Sequence, residues 1–225
     1  MSESTRDDSL RYQAVLYDFD GTLVDTVPMI LKCFHYAFTK VVGKKEDEAF
    51  LLSTIGLPLV QAFSHYAPSV QEELIEAYQE ENSRILATDV KLFDGIIEGL
   101  TFVGNRGVLQ AVVTSKRRET ALFTMRQFRM EPYFDLLIAR EDTSIHKPDP
   151  EPIYEAMRRL SITDHSKVLF VGDSIHDLRC ANRAGVDCAM VNWTYMPRDE
   201  ISAENPTYWI SKLSDISCIL SNAEL

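Results

Sequence analysis

Short apolar runs alternate with longer amphipathic stretches along most of the chain. The runs are four to six residues long and rich in β-branched and aromatic residues, which is typical of buried strands. They are Ala14–Phe19, Gln110–Thr114, Leu136–Ala139, Val168–Gly172 and Cys188–Asn192. The segments between the last four runs have helical length and period. This alternation predicts an α/β fold with a doubly wound, Rossmann-like parallel sheet that is covered by helices on both faces.

A region without a strand candidate interrupts this alternation after the first run. Between Pro28 and Phe93 we find only helical patterns, such as Met29–Val42, Leu59–Tyr66 and Val70–Ala87. Proline and glycine break the patterns at both ends of the region. We therefore expect an inserted α-helical domain over residues 27–93 and a discontinuous core made of residues 1–26 and 94–225.

Composition and charge narrow the partners and the compartment. The chain has 225 residues, 45% of them hydrophobic, and a formal net charge of −11. The negative charge argues against nucleic acid and anionic membranes, and an anionic substrate would need a cation in the site. No apolar run approaches the roughly 18 residues of a membrane span, and the four cysteines lack metal or disulfide spacing. We expect a cytoplasmic monomer or homodimer with reduced thiols. We also expect the polar residues up to and including Tyr12 to form a mobile arm.

The first apolar run ends in two carboxylates, Asp18 and Asp20. A buried aspartate is costly unless it is paired, hydrogen-bonded or bound to a metal, so two at this spacing on a core strand indicate a function. Aspartate can attack phosphorus as a nucleophile, and a neighbouring carboxyl can act as acid and base. The pair is therefore a candidate nucleophile with its acid and base.

Polar residues also follow three of the later runs. They are Thr114-Ser115, His146–Pro150 and Gly172–Asp177. Taken alone, these motifs are more often a helix cap, a turn and a strand-to-loop signal, respectively, than parts of an active site. Ligands of open α/β sheets bind beyond the carboxyl ends of the strands, where this topology would bring all the motifs together. The conjunction of four motifs is what indicates an active site.

In order and context these motifs resemble motifs I to IV of the haloacid dehalogenase (HAD) superfamily. The helical insert resembles the cap of its subfamily I phosphatases, and Val113–Lys116 and Val191–Thr194 are similar to the phosphoglycolate phosphatase and inorganic pyrophosphatase branch. The resemblance implies a hydrolase that uses Mg²⁺ to remove phosphate from a small phosphorylated metabolite through an aspartyl-phosphate. Dehalogenating members lack the carboxylate at Asp20, which disfavours dehalogenation. Inorganic pyrophosphatase activity, β-phosphoglucomutase-type transfer and a non-catalytic phosphate-binding regulator stay open as alternatives.

The resemblance also implies roles for single residues. Asp18 is the nucleophile, and Asp20 protonates the leaving oxygen and later deprotonates water. Lys147 supplies a fixed positive charge to nucleophile and phosphate. The phosphoryl oxygens are held by the Thr114 hydroxyl and by the amides of Gly21 and Ser115. The Mg²⁺ ligands are the Asp18 carboxylate, the Asp20 backbone carbonyl and Asp173, with Asp177 supporting from nearby.

Other charged and aromatic residues receive no catalytic role at this point. Lys116-Arg117-Arg118 could attract an anionic substrate, but a charge run favours a solvated helix face. His65, His146 and His176 lack metal-ligand spacing. In the insert, the loop Ser53–Pro58 resembles the substrate-facing loop of the family, and a plain turn between helices is an equally good interpretation.

Overall fold

The computed structural model describes residues 10–64 and 68–221. Its main sheet has six parallel strands in the order β5-β4-β1-β6-β7-β8, and a separate ribbon pairs β2 with β3. The strands are β1 Ala14–Tyr17, β2 Val24–Asp25, β3 Lys91–Leu92, β4 Leu109–Val113, β5 Leu136–Ile138, β6 Val168–Gly172, β7 Asp187–Val191 and β8 Tyr208–Ile210. The α/β prediction with a parallel sheet is therefore confirmed, with β8 as an additional edge strand.

Strand β1 lies in the middle of the sheet and carries side chains into two separate cores. Ala14 is paired with Leu109 of β4 on one side and with Val168 of β6 on the other. All residues of β1 are buried. Successive side chains of a strand point to opposite faces, so β1 must be apolar throughout to be covered on both.

The helices cover both faces of the sheet. α5, α6 and α10 pack on one face, and α7 and α8 pack on the other, as a doubly wound sheet requires. Their bounds are α1 Val27–Val41, α2 Glu48–Thr54, α3 Leu59–Ser64, α4 Gln71–Ile85, α5 Ile96–Gly104, α6 Arg118–Gln127, α7 Glu151–Arg159, α8 Ile175–Ala184, α9 Arg198–Ser202 and α10 Ile216–Leu220. Across the described ranges, no helix combines the length and apolar character that crossing a bilayer requires.

Helices α1 to α4 form a unit with its own apolar core, here called the helical unit. Phe63 lies at its centre and packs edge-to-face against Phe34 and Tyr78, with ring centroids 5.3 and 6.3 Å apart. Helix α1 begins at Val27, and Pro28 lies in its first turn, where its missing N–H costs nothing. The chain returns to the sheet through β3, which pairs antiparallel with β2. A two-stranded ribbon therefore joins the helical unit to the sheet.

The residues just before β1 do not form the predicted arm. Tyr12 is fully buried, and its phenol donates to an Asp187 carboxylate oxygen at 2.5 Å. The backbone N–H of Arg11 donates to the carbonyl of Leu220 at 3.1 Å. The prediction is wrong for residues 10–12, because Leu10 and Tyr12 bury apolar surface that the polar sequence around them obscures. Residues 1–9 lie outside the described part of the chain.

Candidate active site

Asp18 is the first residue beyond β1. Its backbone N–H donates to the Val171 carbonyl at 2.9 Å, so the sheet hydrogen bonding continues by one residue and fixes the direction of the side chain. The residue is only 3% exposed. One of its carboxylate oxygens accepts a hydrogen bond from Lys147 Nζ at 2.6 Å. A carboxylate this buried needs such a partner to remain ionised.

Lys147 reaches the site from the loop before α7 and is itself 1% exposed. Its ammonium donates to Asp18, to Asp177 at 2.7 Å and to the Val113 carbonyl at 3.4 Å. Burial by itself would lower the pKa of Lys147, but the charges of Asp177 and Asp18 outweigh it and raise the pKa. The lysine is therefore a permanent cation between two carboxylates.

The other carboxylates of the site come from the end of β6 and the first turn of α8. Asp173 follows β6, and one of its oxygens accepts from the Thr22 hydroxyl at 3.1 Å. Ser174 caps α8, and Asp177 accepts from both the Ser174 amide at 3.1 Å and its hydroxyl at 2.6 Å. This capping box satisfies free amides of the helix and holds the Asp177 carboxylate toward Lys147.

Three carboxylates converge in this site. Ligand oxygens of Asp18, Asp173 and Asp177 all lie within 4.8 Å of one another, and all three residues are buried. Burial, together with the repulsion from neighbouring carboxylates, raises the pKa of Asp18 and of Asp173. Three carboxylates and the Lys147 ammonium leave a buried charge of −2 at full ionisation. An oxygen-only ligand set with this charge fits a hard divalent cation.

Gly21 allows the turn after Asp20 to pass close to Asp173. Its φ is +83°, and a Cβ at this position would lie 2.3 Å from an Asp173 carboxylate oxygen. Only glycine fits both the backbone and the space. Its amide donates to the Val24 carbonyl at 2.8 Å. In this conformation the amide closes the turn, and its contact with a phosphoryl oxygen, implied by the resemblance, stays a prediction.

Asp20 lies beside the carboxylate cluster without joining it. Its carboxylate accepts from the Thr26 hydroxyl at 2.7 Å and from Lys116 Nζ at 2.8 and 3.1 Å. The Lys116 side chain is 9% exposed, so the solvated-face interpretation is wrong for this residue. The reason is local: α6 begins at Arg118, and Lys116 belongs to the loop at the end of β4, which turns toward the site. Arg117, half-exposed, does match that interpretation.

Thr114 and Ser115 lie at the same edge, directly after β4. Thr114 is buried, and its hydroxyl oxygen accepts from the Lys116 amide at 3.2 Å. The Ser115 hydroxyl donates to the Gly56 carbonyl of the helical unit at 2.7 Å. The structure thus brings all the site residues predicted from the sequence to one edge of the sheet.

A cavity of about 370 Å³ separates this edge from the helical unit. Asp18, Asp20, Thr114, Ser115 and Lys116 line it on the sheet side. The helical unit contributes the loop 54–57 and mostly apolar side chains, namely Ile30, Phe34, Leu59, Tyr78, Leu86 and Ala87, together with Gln79, Asn82 and Ser83. The loop expected to face a substrate therefore borders the cavity that contains the carboxylates.

His176 makes a contact that the sequence did not suggest. Its Nε2 lies 3.0 Å from the Ser53 carbonyl, and burial lowers the pKa of the imidazole. A neutral ring with the proton on Nε2 donates this hydrogen bond, which ties the first turn of α8 to the loop of the helical unit. His146 contacts the Thr143 hydroxyl, and His65 lies outside the described residues.

Comparisons with known proteins agree with this architecture. The family model of haloacid dehalogenase-like hydrolases matches residues 15–191. The pyrophosphatase PpaX of Bacillus velezensis is 32% identical over 206 residues, which cover 92% of this chain and 95% of that protein. The PpaX of Halalkalibacterium halodurans is 30% identical over 207 residues, with coverage of 92% and 96%. Both alignments extend well beyond the motifs.

Solved structures give the same result for the fold. A haloacid dehalogenase-like hydrolase of Bacteroides fragilis superposes with a TM-score of 0.84 at 28% identity, over 91% of this chain and 99% of that one. A predicted phosphoglycolate phosphatase of Haemophilus somnus superposes with a TM-score of 0.82 at 21% identity, over 93% and 98%. The chain belongs to the haloacid dehalogenase-like hydrolases. Within them it is a HAD-like phosphatase.

Proposed function

We propose that the protein is a Mg²⁺-dependent phosphoric monoester hydrolase, similar to phosphoglycolate phosphatase, that acts on a small phosphorylated metabolite through an aspartyl-phosphate at Asp18. One observation carries this proposal. A buried aspartate at a strand end is held at 2.6 Å by a buried lysine, and two further buried carboxylates lie beside it. The lysine fixes the nucleophile and favours its ionised form, as phosphoryl transfer requires.

In the first step of the proposed reaction, an Asp18 oxygen forms a bond to phosphorus while the bond to the leaving oxygen breaks. Asp20 gives its proton to that oxygen. In the second step, water attacks the aspartyl-phosphate, Asp20 takes the proton of the water, and Asp18 is released with inorganic phosphate. Lys147 offsets the negative charge of the nucleophile and of the phosphoryl group throughout. The Thr114 hydroxyl and the Ser115 amide would hold phosphoryl oxygens.

The chain would hold Mg²⁺ through the Asp18 carboxylate, the Asp20 backbone carbonyl and Asp173. Both Asp177 oxygens already accept hydrogen bonds, from Lys147 and from Ser174, which suits a supporting role for this residue. When bound, the cation supplies the positive charge that lets a phosphate dianion approach Asp18. The helical unit, within the proposed cap of residues 27–93, would cover the site and exclude water.

Replacing the nucleophile tests the mechanism. Asp18→Asn should lose hydrolysis of 4-nitrophenyl phosphate by at least about 1,000-fold while the far-UV CD spectrum stays unchanged, because the amide has nearly the same shape but cannot attack phosphorus. EDTA should abolish the activity of the wild type, and added Mg²⁺ should restore it. Intact-protein mass spectrometry after acid quench should detect a phosphorylated wild type and no phosphorylated variant. Retained steady-state turnover in pure Asp18→Asn protein would contradict the proposal.

Inorganic pyrophosphatase activity is the second candidate, and the two PpaX relatives support it. The same two carboxylates and lysine would serve, since a phosphoanhydride differs only in its leaving group. Values of kcat/KM for pyrophosphate, phosphoglycolate and β-glucose 1-phosphate, measured with Mg²⁺, decide between the candidates. A mutase would convert the sugar phosphate to its isomer without releasing phosphate, and a phosphate-binding regulator would bind phosphate and turn over none of the three.

A further inference from the structure

Lys116 is the one cation of the described residues that contacts the Asp20 carboxylate. Its Nζ lies within hydrogen-bond distance of both oxygens, at 2.8 and 3.1 Å. Both partners are largely buried, with 9% of the lysine side chain and 16% of the aspartate side chain exposed. Exposed ion pairs contribute little because water and rotamer freedom compete with them, but this pair is shielded from most of that competition.

The backbone of Lys116 is fixed on both sides. Its amide donates to the Thr114 hydroxyl oxygen at 3.2 Å, and its carbonyl accepts from the Arg140 amide at 3.0 Å. The ammonium therefore approaches Asp20 from a rigid base. Thr26 contributes the other contact, a hydrogen bond of 2.7 Å to only one of the carboxylate oxygens. A hydroxyl on one oxygen leaves the carboxylate free to rotate, whereas an ammonium shared by both oxygens restricts that rotation.

We propose that Lys116 is a positioning residue for Asp20 and holds the carboxylate in the orientation in which it exchanges a proton with the leaving oxygen and with water. This inference rests on the proposed function, in which Asp20 is the acid and base. Lys116 and Asp20 line the same cavity as Asp18, so the pair faces the space where the reacting phosphoryl group would lie. The lysine also offsets the charge of a carboxylate next to a cluster that already carries −2 at full ionisation.

The consequence is a dependence on the leaving group. An activated phenolate leaves without a proton, but an alkoxide needs one, so only the second reaction depends on the orientation of Asp20. Benzyl phosphate and 4-nitrophenyl phosphate are similar in size and differ in this respect. In Lys116→Met we expect kcat/KM for benzyl phosphate to fall about 30-fold or more and that for 4-nitrophenyl phosphate to fall less than about 3-fold. Lys116→Gln serves as a second variant should the methionine form not fold.

Three further variants make the test specific. Lys116→Arg keeps the charge and should recover part of the activity toward benzyl phosphate. Asp20→Asn should show the same selective loss, and combining it with Lys116→Met should cause no further loss, because the lysine then has no carboxylate to position. Lys91→Met is the matched control: Lys91 pairs with Asp25 at 3.2 Å, in the segment that follows Asp20, and does not touch Asp20. The Lys91→Met variant should leave the ratio of kcat/KM for benzyl phosphate to that for 4-nitrophenyl phosphate unchanged.

The outcomes separate this inference from the proposed function. Equal losses for both substrates in Lys116→Met, with a selective loss in Asp20→Asn, would assign Lys116 to phosphate binding or to structure and overturn the inference alone. An Asp20→Asn variant without selectivity would overturn the acid role of Asp20, and the inference would fall with it. Additive losses in the double variant would show that Lys116 acts independently of Asp20 and would also overturn it.

Discussion

The carboxylate cluster should destabilise the metal-free protein, and Asp173→Asn is the sharpest way to measure this. Asp173 faces Asp18 and Asp177 but receives no hydrogen bond from Lys147, which bonds to the other two. Its main partner is the neutral Thr22 hydroxyl. Asparagine has nearly the same shape and removes the charge. We therefore expect the variant to be more stable than the wild type when no divalent cation is present.

The size of the effect follows from the spacing. Two unit charges at the 4.8 Å limit of the cluster repel by about 3 kcal/mol at an effective dielectric constant of about 20. Asp173 is repelled by two carboxylates and attracted by the Lys147 ammonium with a comparable energy. The net result is that ionised Asp173 destabilises the folded protein by about 3 kcal/mol. Burying the new amide costs about 1 kcal/mol, so a gain of about 2 kcal/mol remains. For a chain of this length the corresponding rise in Tm is about 4–8 °C.

Thermal unfolding in EDTA measures how much Asp173 destabilises the metal-free protein. Thermal unfolding in saturating Mg²⁺ measures how much the cation stabilises it. Mg²⁺ at about 100 times its Kd should stabilise the wild type by about 2.7 kcal/mol and should stabilise Asp173→Asn far less. Asp142→Asn is the control with the opposite sign, because that carboxylate lies between Arg118 and Arg159 and loses two attractive partners. A fall in Tm for Asp173→Asn in EDTA, or an equal response of variant and wild type to Mg²⁺, would refute the reasoning.

Three further outcomes are expected. Burial opposes the shift, but the hydrogen bond from the Ala139 amide and the contacts with Arg118 and Arg159 lower the pKa of Asp142. The stability that Asp142→Asn removes should therefore be present at pH 7 and decline as the pH falls below about 4, as urea unfolding across pH will show. Phe63→Ala should lower the free energy of unfolding by about 3–5 kcal/mol, measured in the same assay, because its ring is fully buried. Gly21→Ala should remove the Mg²⁺-dependent rise in Tm without changing the CD spectrum, since its Cβ would displace Asp173.

The sheet was predictable because its strands are buried on both faces. A strand such as Val168–Gly172 must be apolar at every position, and the continuous run gives its bounds without error. The edge strand Tyr208–Ile210 has three residues of which only one is buried, so its signal does not rise above that of a loop. The equally short edge strand Leu136–Ile138 has two buried residues and was predicted. The ordered segment at Leu10 to Tyr12 was missed for a related reason, since two buried side chains among polar residues show no period.

The order of the motifs along the chain predicted which residues meet, but not how their hydrogen bonds are shared. That Asp18 and Lys147 lie at one edge follows from topology. That Lys116 bonds to Asp20, or that the Gly21 amide is already engaged in a turn, depends on where a helix begins and on a single φ angle. A pattern of hydrophobic and polar residues does not predict such local details.

The ribbon of β2 and β3 places the two chain crossings between sheet and helical unit side by side. Paired antiparallel strands lie about 5 Å apart, so the segment between Asp25 and Lys91 leaves and re-enters the core at nearly one point. The helical unit therefore takes the place of the loop that would connect β2 and β3 in a hairpin. We therefore expect that another domain with closely spaced ends can be grafted at this position without moving the carboxylate cluster. Under the proposed function, in which the helical unit covers the site, we expect such a graft to change which substrates are accepted while the chemistry at Asp18 is kept.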